Sequence, residues 1–308
     1  MLDPRLLFTG PSPFGGHRYD LFDLCPRRYG HEHPHFPMPL RDESGALVSP
    51  PHDPEAPEPK SAWELIRGTT IHTGIAHHYA RKRAKQVGDT ATYDRLYAPV
   101  ASLDALHAQE RGRAHPEDWG LWDDALKVGK RVVKEYCKRY AFESAKVEVV
   151  EEVFVLELGE NKAPYTFRLD LGLRDSSKKV WMVDHKTTTR LRRDHGWQYN
   201  ISMQFQAYAV GGRAVYGDDY GGVVANMIEC PDPEDTETRP VFERPNMPNV
   251  SGFLAGFAGR VSEIYDRMKR LHESGLPPQK WPKKPSYRSC RAYGRLCQHY
   301  EKCSAELD

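Results

Sequence analysis

Between residues 146 and 186 the chain repeats one pattern three times. "KVEVVEEVFVLEL" (146–158), "YTFRLDLGL" (165–173) and "KVWMVDHK" (179–186) are β-branched and aromatic runs separated by the turn-forming "GENKAP" and "RDSSK". Strands joined by connections this short pair with their sequence neighbours, which predicts an antiparallel meander. A sheet must bury at least one face, and the flanking segments supply the cover. "SAWE" is a capping box in which Ser61 and Glu64 stand three residues apart. It opens a helix expected to run to about residue 85. Leu65, Thr69, His72, Ala76 and Tyr79 recur on one face of it. A second helix fits 117–142, where Leu121, Ala125, Val128, Val132 and Tyr136 keep helical period. A helical stretch at 201–216, a strand at 221–229 and a helix over 251–274 complete the order. Helix, helix, three strands, helix, strand, helix is the pattern of a mixed α/β domain.

The 308 residues suffice for one large or two small domains. Composition marks three parts: an N-terminal segment, 1–60, ending in the Pro-rich acidic loop 34–60; a core, 61–249; and a helix with a cysteine-rich tail, 250–308. With 39% hydrophobic and 28% charged residues most of the chain should fold, although the mean hydropathy of −0.70 is polar for that size. No run reaches the roughly 18 uninterrupted apolar residues of a membrane span. The first twenty residues lack a basic stretch followed by an apolar one, so the expectation is a cytoplasmic protein without a membrane partner. Net charge is +1 and excludes no partner class. Locally, residues 260–302 carry eleven Lys and Arg against four acids, either a solvated face or a nucleic-acid surface.

Asp170 lies in "FRLDLGL" and Asp184 in "MVDHK", one hairpin apart. If those strands pair, the carboxylates converge at a sheet edge, where they repel unless a cation sits between them. Hard oxygen ligands suit Mg²⁺ or Mn²⁺. Lys186 follows Asp184 by two residues and so leaves the strand on the same face. There it can orient a water or offset charge on a phosphate. The competing reading is a pair of surface acids with Lys186 as their ion-pair partner. His72 interrupts an otherwise buried-looking helix face, as a ligand or as a packed histidine.

Four features in order, Arg67-Gly68-Thr-Thr-Ile-His72, Asp170, Asp184-His185-Lys186 and Gln204-Phe-Gln-Ala-Tyr208, resemble the RecB-like branch of the PD-(D/E)XK nuclease superfamily over roughly 61–215. The resemblance implies a mixed central sheet flanked by helices, in the restriction-endonuclease-like manner. It implies that His72, Asp170, Asp184 and the backbone carbonyl of His185 hold the metal, and that Lys186 positions or activates water. Gln204, Tyr208 and Arg67 would support the site or contact DNA.

The chain has six cysteines. Cys290, Cys297 and Cys303 lie in a basic, aromatic tail with little apolar content of its own, so a metal or cluster staple is reasonable. Cys25 lies in "DLCPRRYG", on a short expected helix. Some RecB-like nucleases similarly place one cysteine before the core and three after it, around a [4Fe-4S] cluster. Six residues separate Cys290 from Cys297 here, where that subgroup has two; the five before Cys303 match. Zn²⁺ is the alternative for four thiolates. Cys137 fits a helix core and Cys230 a strand end. The resemblance thus implies a metal-dependent DNA nuclease, in the first place an exonuclease on single-stranded or frayed ends. Its setting would be a phage or mobile element, recombination, repair or CRISPR adaptation. A non-catalytic DNA-end binding module and a zinc-stapled structural DNA-binding protein are the rivals.

Overall fold

The computed structural model describes residues 14–33, 35–36, 40–41, 47–48, 63–191, 199–247, 251–292 and 295–305. In chain order the principal elements are α1 (Gly16–Leu24), α2 (Pro26–Glu32), α3 (Trp63–Gln86), α4 (Thr90–Arg95), α5 (Pro99–Arg111) and α6 (Trp119–Arg139). Next come β1 (Lys146–Leu158), β2 (Ala163–Arg174), β3 (Val180–Thr188), α7 (Met203–Tyr216), β4 (Tyr220–Glu229), β5 (Val241–Glu243) and β6 (Asn246–Met247). The chain closes with α8 (Ser251–Glu273), α9 (Tyr287–Cys290) and α10 (Tyr300–Ala305). The described residues fall into two discontinuous units, one within Pro59–Phe154 and Arg168–Leu254, the other within Gly10–Glu58, Val155–Phe167 and Ala255–Asp308.

The first unit is built on a mixed six-stranded sheet in the order β1-β2-β3-β4-β5, with β6 also pairing β4. β1, β2 and β3 are successive neighbours, as their short connections require. β2 and β3 run antiparallel from Arg174 against Val180 to Leu171 against Val183. β4 then joins β3 in parallel, with Asp184 beside Ala225 and His185 beside Asn226. A parallel neighbour needs a crossover, and α7 provides it. Helix α7 packs on β3 and β4.

α3 and α6 bury Ile71, Ile75, Tyr79, Val128, Val132 and Tyr136 against Leu171, Leu173, Val183, Val224 and Ile228 of the sheet. α5 adds Leu106 to a second cluster with Ile66, Trp122 and Ala125. Two glycines let α3 and α6 approach closely. A Cβ on Gly74 would stand 2.6 Å from Val133 Cγ2, and one on Gly129 would stand 2.7 Å from Thr70 Cγ2.

Three sequence expectations need correction. Leu65 is not on the buried face but 59% exposed. Because α3 is covered by α5, α6 and β3, its buried arc runs through Ile66, Thr70, Ile71, Thr73 and Ile75 instead. The stretch 86–116, to which the pattern assigns no element, forms α4, capped by Asp89 accepting from Thr92 N (2.9 Å), and α5, with Pro99 in its first turn. Helix α6 stops at Arg139, short of 142. Ser61, the expected cap of α3, and most of the 34–60 loop lie outside the described residues.

In the second unit, Cys25 does not ride on a helix but joins two, because Pro26 starts α2 and cannot continue α1. Gly30 of α2 lies under the Trp281 ring, where a Cβ would come within 2.8 Å. Arg27 Nε donates to the Trp281 carbonyl (2.9 Å). Asp23 draws Arg260 (3.1 Å) and Lys284 (3.4 Å). Tyr165 packs between Tyr19 (ring centroids 5.4 Å apart, tilted) and Phe257 (5.3 Å, edge-on) in the buried core of this unit. Among the described residues no helix is long and apolar enough to cross a membrane.

Candidate active site

The ladder between β2 and β3 ends at Leu171–Val183, and the site begins where it ends. One step further the register would set Asp170 opposite Asp184. There the Asp170 carboxylate takes the His185 backbone N–H through Oδ2 (2.6 Å), replacing a strand-to-strand bond with a side-chain bond. His72 Nδ1, from α3, lies 3.5 Å from the same oxygen. Glu151 of β1 completes the group: His72, Glu151 and Asp170 each offer a ligand atom, all within 4.8 Å of one another.

Glu151 is the residue that sequence reasoning missed, and its backbone is unusual. It has φ of 51°, a left-handed conformation that non-glycine residues rarely adopt inside a strand. Alternation already places this acid inward, and the kink breaks the pattern after it, where Glu152 and Val153 are both exposed. Arg168 Nε lies 2.8 Å from its carboxylate. Burial, then the charge of Asp170, nevertheless pushes the Glu151 carboxyl well above the usual range. Burial also raises Asp170, to about 6, against the opposing pull of His72. Two carboxylates pushed up by burial and by neighbouring acids, Asp170 acting on Glu151 and Asp184 on both, are an arrangement that a bound cation relieves. The donor set, one imidazole and two carboxylates, fits a divalent ion that prefers oxygen.

Asp184 stands beside this group but is otherwise engaged. Its Oδ2 lies 2.8 Å from Lys186 Nζ. Its Oδ1 accepts from the Tyr208 hydroxyl (2.7 Å) and Gln204 Nε2 (3.1 Å). Gln204 Oε1 in turn accepts from Lys186 Nζ (2.8 Å), and the Tyr208 hydroxyl accepts from Gln204 Nε2 (2.7 Å). Lys186, Asp184, Gln204 and Tyr208 are therefore one closed hydrogen-bonded set. Gln204 and Tyr208, four apart on α7, reach it from one helix face. Although burial works against it, the Asp184 carboxylate holds the Lys186 ammonium charged, with its pKa raised.

Behind the site runs a second polar chain. His185 Nδ1 lies 2.7 Å from Asn226 Nδ2, which fixes the ring nitrogen facing it as an acceptor. Asn226 Oδ1 accepts from Arg244 Nε (3.1 Å), and Arg244 also donates to Tyr79 (2.6 Å), Tyr136 (2.7 Å) and Glu143. Burial drives the His185 pKa well below the ordinary value, so its ring is neutral. Arg67 does not join these groups. It is buried at the start of α3, with its guanidinium 5.6 Å from the Trp63 ring.

Of the cysteines, Cys25, Cys290, Cys297 and Cys303 all belong to the second unit and are half-buried. Burial lowers the Arg28 pKa, but Glu32 and then the sulfurs of Cys297 and Cys25 outweigh it, so one arginine feels both ends of the sequence. Cys297 N donates to the Cys290 carbonyl (2.7 Å). Cys137 and Cys230 sit in the first unit, and burial raises each thiol to about 11.

Two solved structures are similar to this chain at 14% identity. One is described as a candidate exonuclease from Eubacterium rectale, covering 75% of this chain and 79% of its own, with a TM-score of 0.42. The other is SSO0001, covering 80% and 97%, with a TM-score of 0.31. Both scores are too low to carry an inference of activity. No curated protein matches the chain. A sequence profile of the PD-(D/E)XK nuclease superfamily, whose members use divalent metal ions, matches residues 17–303. With nearly the whole chain matched, and a mixed sheet carrying acids and a lysine at the end of its central strands, the protein belongs to the PD-(D/E)XK nuclease superfamily.

Proposed function

We propose that the protein is a Mg²⁺- or Mn²⁺-dependent deoxyribonuclease, acting as an exonuclease on single-stranded or frayed DNA ends. One observation carries the reading: His72, Glu151 and Asp170 converge within 4.8 Å of one another, next to the Asp184–Lys186 pair. His72, Asp170 and Glu151 would hold the cation, with Asp184 and the His185 carbonyl alongside. When bound, the ion supplies Lewis-acid polarisation of the phosphate and lowers the pKa of water. The chain's own part is electrostatic. Lys186, kept charged by Asp184, stands ready to orient a water and to offset charge building on the phosphate. Gln204 and Tyr208 hold that pair in place, and Asn226 fixes the ring of His185.

The four cysteines of the second unit are read as ligands of a [4Fe-4S] cluster tying its N- and C-terminal parts, with Arg28 offsetting thiolate charge. Zn²⁺ is the other occupant that four thiolates accept.

The test is hydrolysis of end-labelled linear DNA and of circular single strands, with and without Mg²⁺ or Mn²⁺. Metal-dependent loss from ends, with circles spared, is the expected result. Lys186→Ala should keep DNA binding and lose hydrolysis; a Lys186→Ala variant that cuts at the wild-type rate would sink the assignment.

A further inference from the structure

A cavity of about 540 Å³ opens on α3 well beyond His72, lined by His78, Arg81, Lys82, Lys85, Tyr93 and Ala141 among others. Its size falls in the range of ligand pockets. No acid lines it. Glu143, whose backbone carbonyl also accepts from Lys82, lies 3.6 Å from Lys82 through its carboxylate but also pairs with Arg244, so one acid faces two cations. Arg81 spends its hydrogen bonds on neutral acceptors, the carbonyls of Tyr93 (2.9 Å) and Leu96 (2.6 Å), and keeps its charge. It also stacks on the Tyr93 ring at 3.8 Å. Lys85 projects into solvent. His78 Nε2 is buried without a hydrogen-bond partner. The result is a fixed excess of positive charge in a concave site, a pattern that calls for an anion.

Next to the pocket-lining Ala141 stands Phe142, 98% exposed. A fully exposed phenylalanine has no packing role. Beside a cationic hollow it supplies what single-stranded nucleic acid needs, a face for a base next to a seat for a phosphate. A free inorganic anion would have no use for it.

We propose that this pocket is a second nucleic-acid subsite, seating a backbone phosphate of a single strand on Lys82 and Lys85 while a neighbouring base stacks on Phe142. The idea rests on the nuclease reading above and adds where the strand runs. Ten residues of α3 separate His72 from Lys82, about 15 Å of helix, so a dinucleotide held at the cleavage centre cannot reach the pocket.

The test uses the full-length protein with Lys85→Glu and Phe142→Ala combined, both at exposed positions, and thermal melting checks that the variant folds. Binding of a fluorescein-labelled single-stranded oligonucleotide is followed by anisotropy in chelator, where hydrolysis plays no part. Affinity should fall roughly tenfold or more, and the magnitude of the log–log salt slope should drop by about 0.7 for the lost phosphate contact. The preference in kcat/KM for a long strand over a dinucleotide should collapse by a similar factor. Unchanged affinity and unchanged salt slope would overturn the subsite. So would a labelled mononucleotide or inorganic phosphate competing as strongly as the strand, since the site would then serve a free anion. A chain that needs these residues for binding but never cuts refutes only the nuclease reading; one that cuts and ignores them refutes only this one.

Discussion

Glu151 concentrates the chemistry of the site in one side chain. It is an acid held near Asp170 and Asp184, with its carboxyl pushed up first by burial and then by Asp170. Removing its charge should therefore relieve repulsion in the metal-free protein while weakening a cation's hold. The expectation for Glu151→Gln is a metal-free melting temperature equal to or above wild type, a smaller rise on adding Mn²⁺, and hydrolysis reduced by at least about tenfold. Melting curves with and without Mn²⁺ check it; an undiminished metal-induced rise would remove Glu151 from the ligand set. In hindsight the sequence contained a signal for this residue. Val147 and Val149 are buried in the first half of β1, and Glu151 falls on the same parity, an acid where alternation calls for an apolar side chain. Asp170, Asp184, Lys186 and His72 were legible because each breaks an apolar pattern in a short motif. Asn226 and Arg244 were not, because nothing local marks an Asn inside "VVANMIE" as the partner of a histidine about forty residues back, or an Arg after a strand as the partner of that Asn.

At the scale of elements, the site depends on how closely α3 can lie on its neighbours. Gly74 faces Val133 and Leu103, and Gly129 faces Thr70, all buried side chains. Alanine at either glycine gains about 1 kcal/mol of helix propensity. It also forces a contact under 3.0 Å onto stiff β-branched partners, a clash of about 1–3 kcal/mol. The clash should win. Gly74→Ala is expected to lower the melting temperature and, by shifting α3, to weaken hydrolysis through His72. Gly120→Ala, where an added Cβ meets nothing, should raise stability slightly, and thermal melts of the two compare the effects directly. The three strands and the long helices were readable from period alone. The phase of α3 was not, since a helix covered by α5, α6 and β3 loses the single apolar stripe from which phase is read. Helices α4 and α5 were hidden for a related reason: α4 buries nothing and α5 only Ser102, Leu103 and Leu106.

At the scale of the whole molecule, the described chain passes back and forth between its two units, so that neither is a continuous stretch of sequence. Single-cysteine variants test what joins the second unit. Cys25→Ala, Cys297→Ala and Cys303→Ala should each lose iron and sulfide and let protease trim the tail, whereas Cys137→Ala and Cys230→Ala, in the other unit, should keep both. Full iron and sulfide in Cys25→Ala would remove the N-terminal ligand, and zinc in place of iron would change the occupant. That discontinuity also sets a timetable. The core that Tyr19 shares with Tyr165 and Phe257, and the seat of Gly30 under Trp281, use partners that leave the ribosome long after α1 and α2 do. At roughly 5–20 residues per second, some 200 residues of intervening chain take on the order of ten to forty seconds to synthesise. During that interval α1 and α2 have no finished partner surface. Any cofactor bridging Cys25 to Cys297 can be installed only after translation has passed Cys297, which places that step late in synthesis, well after α1 and α2 have emerged.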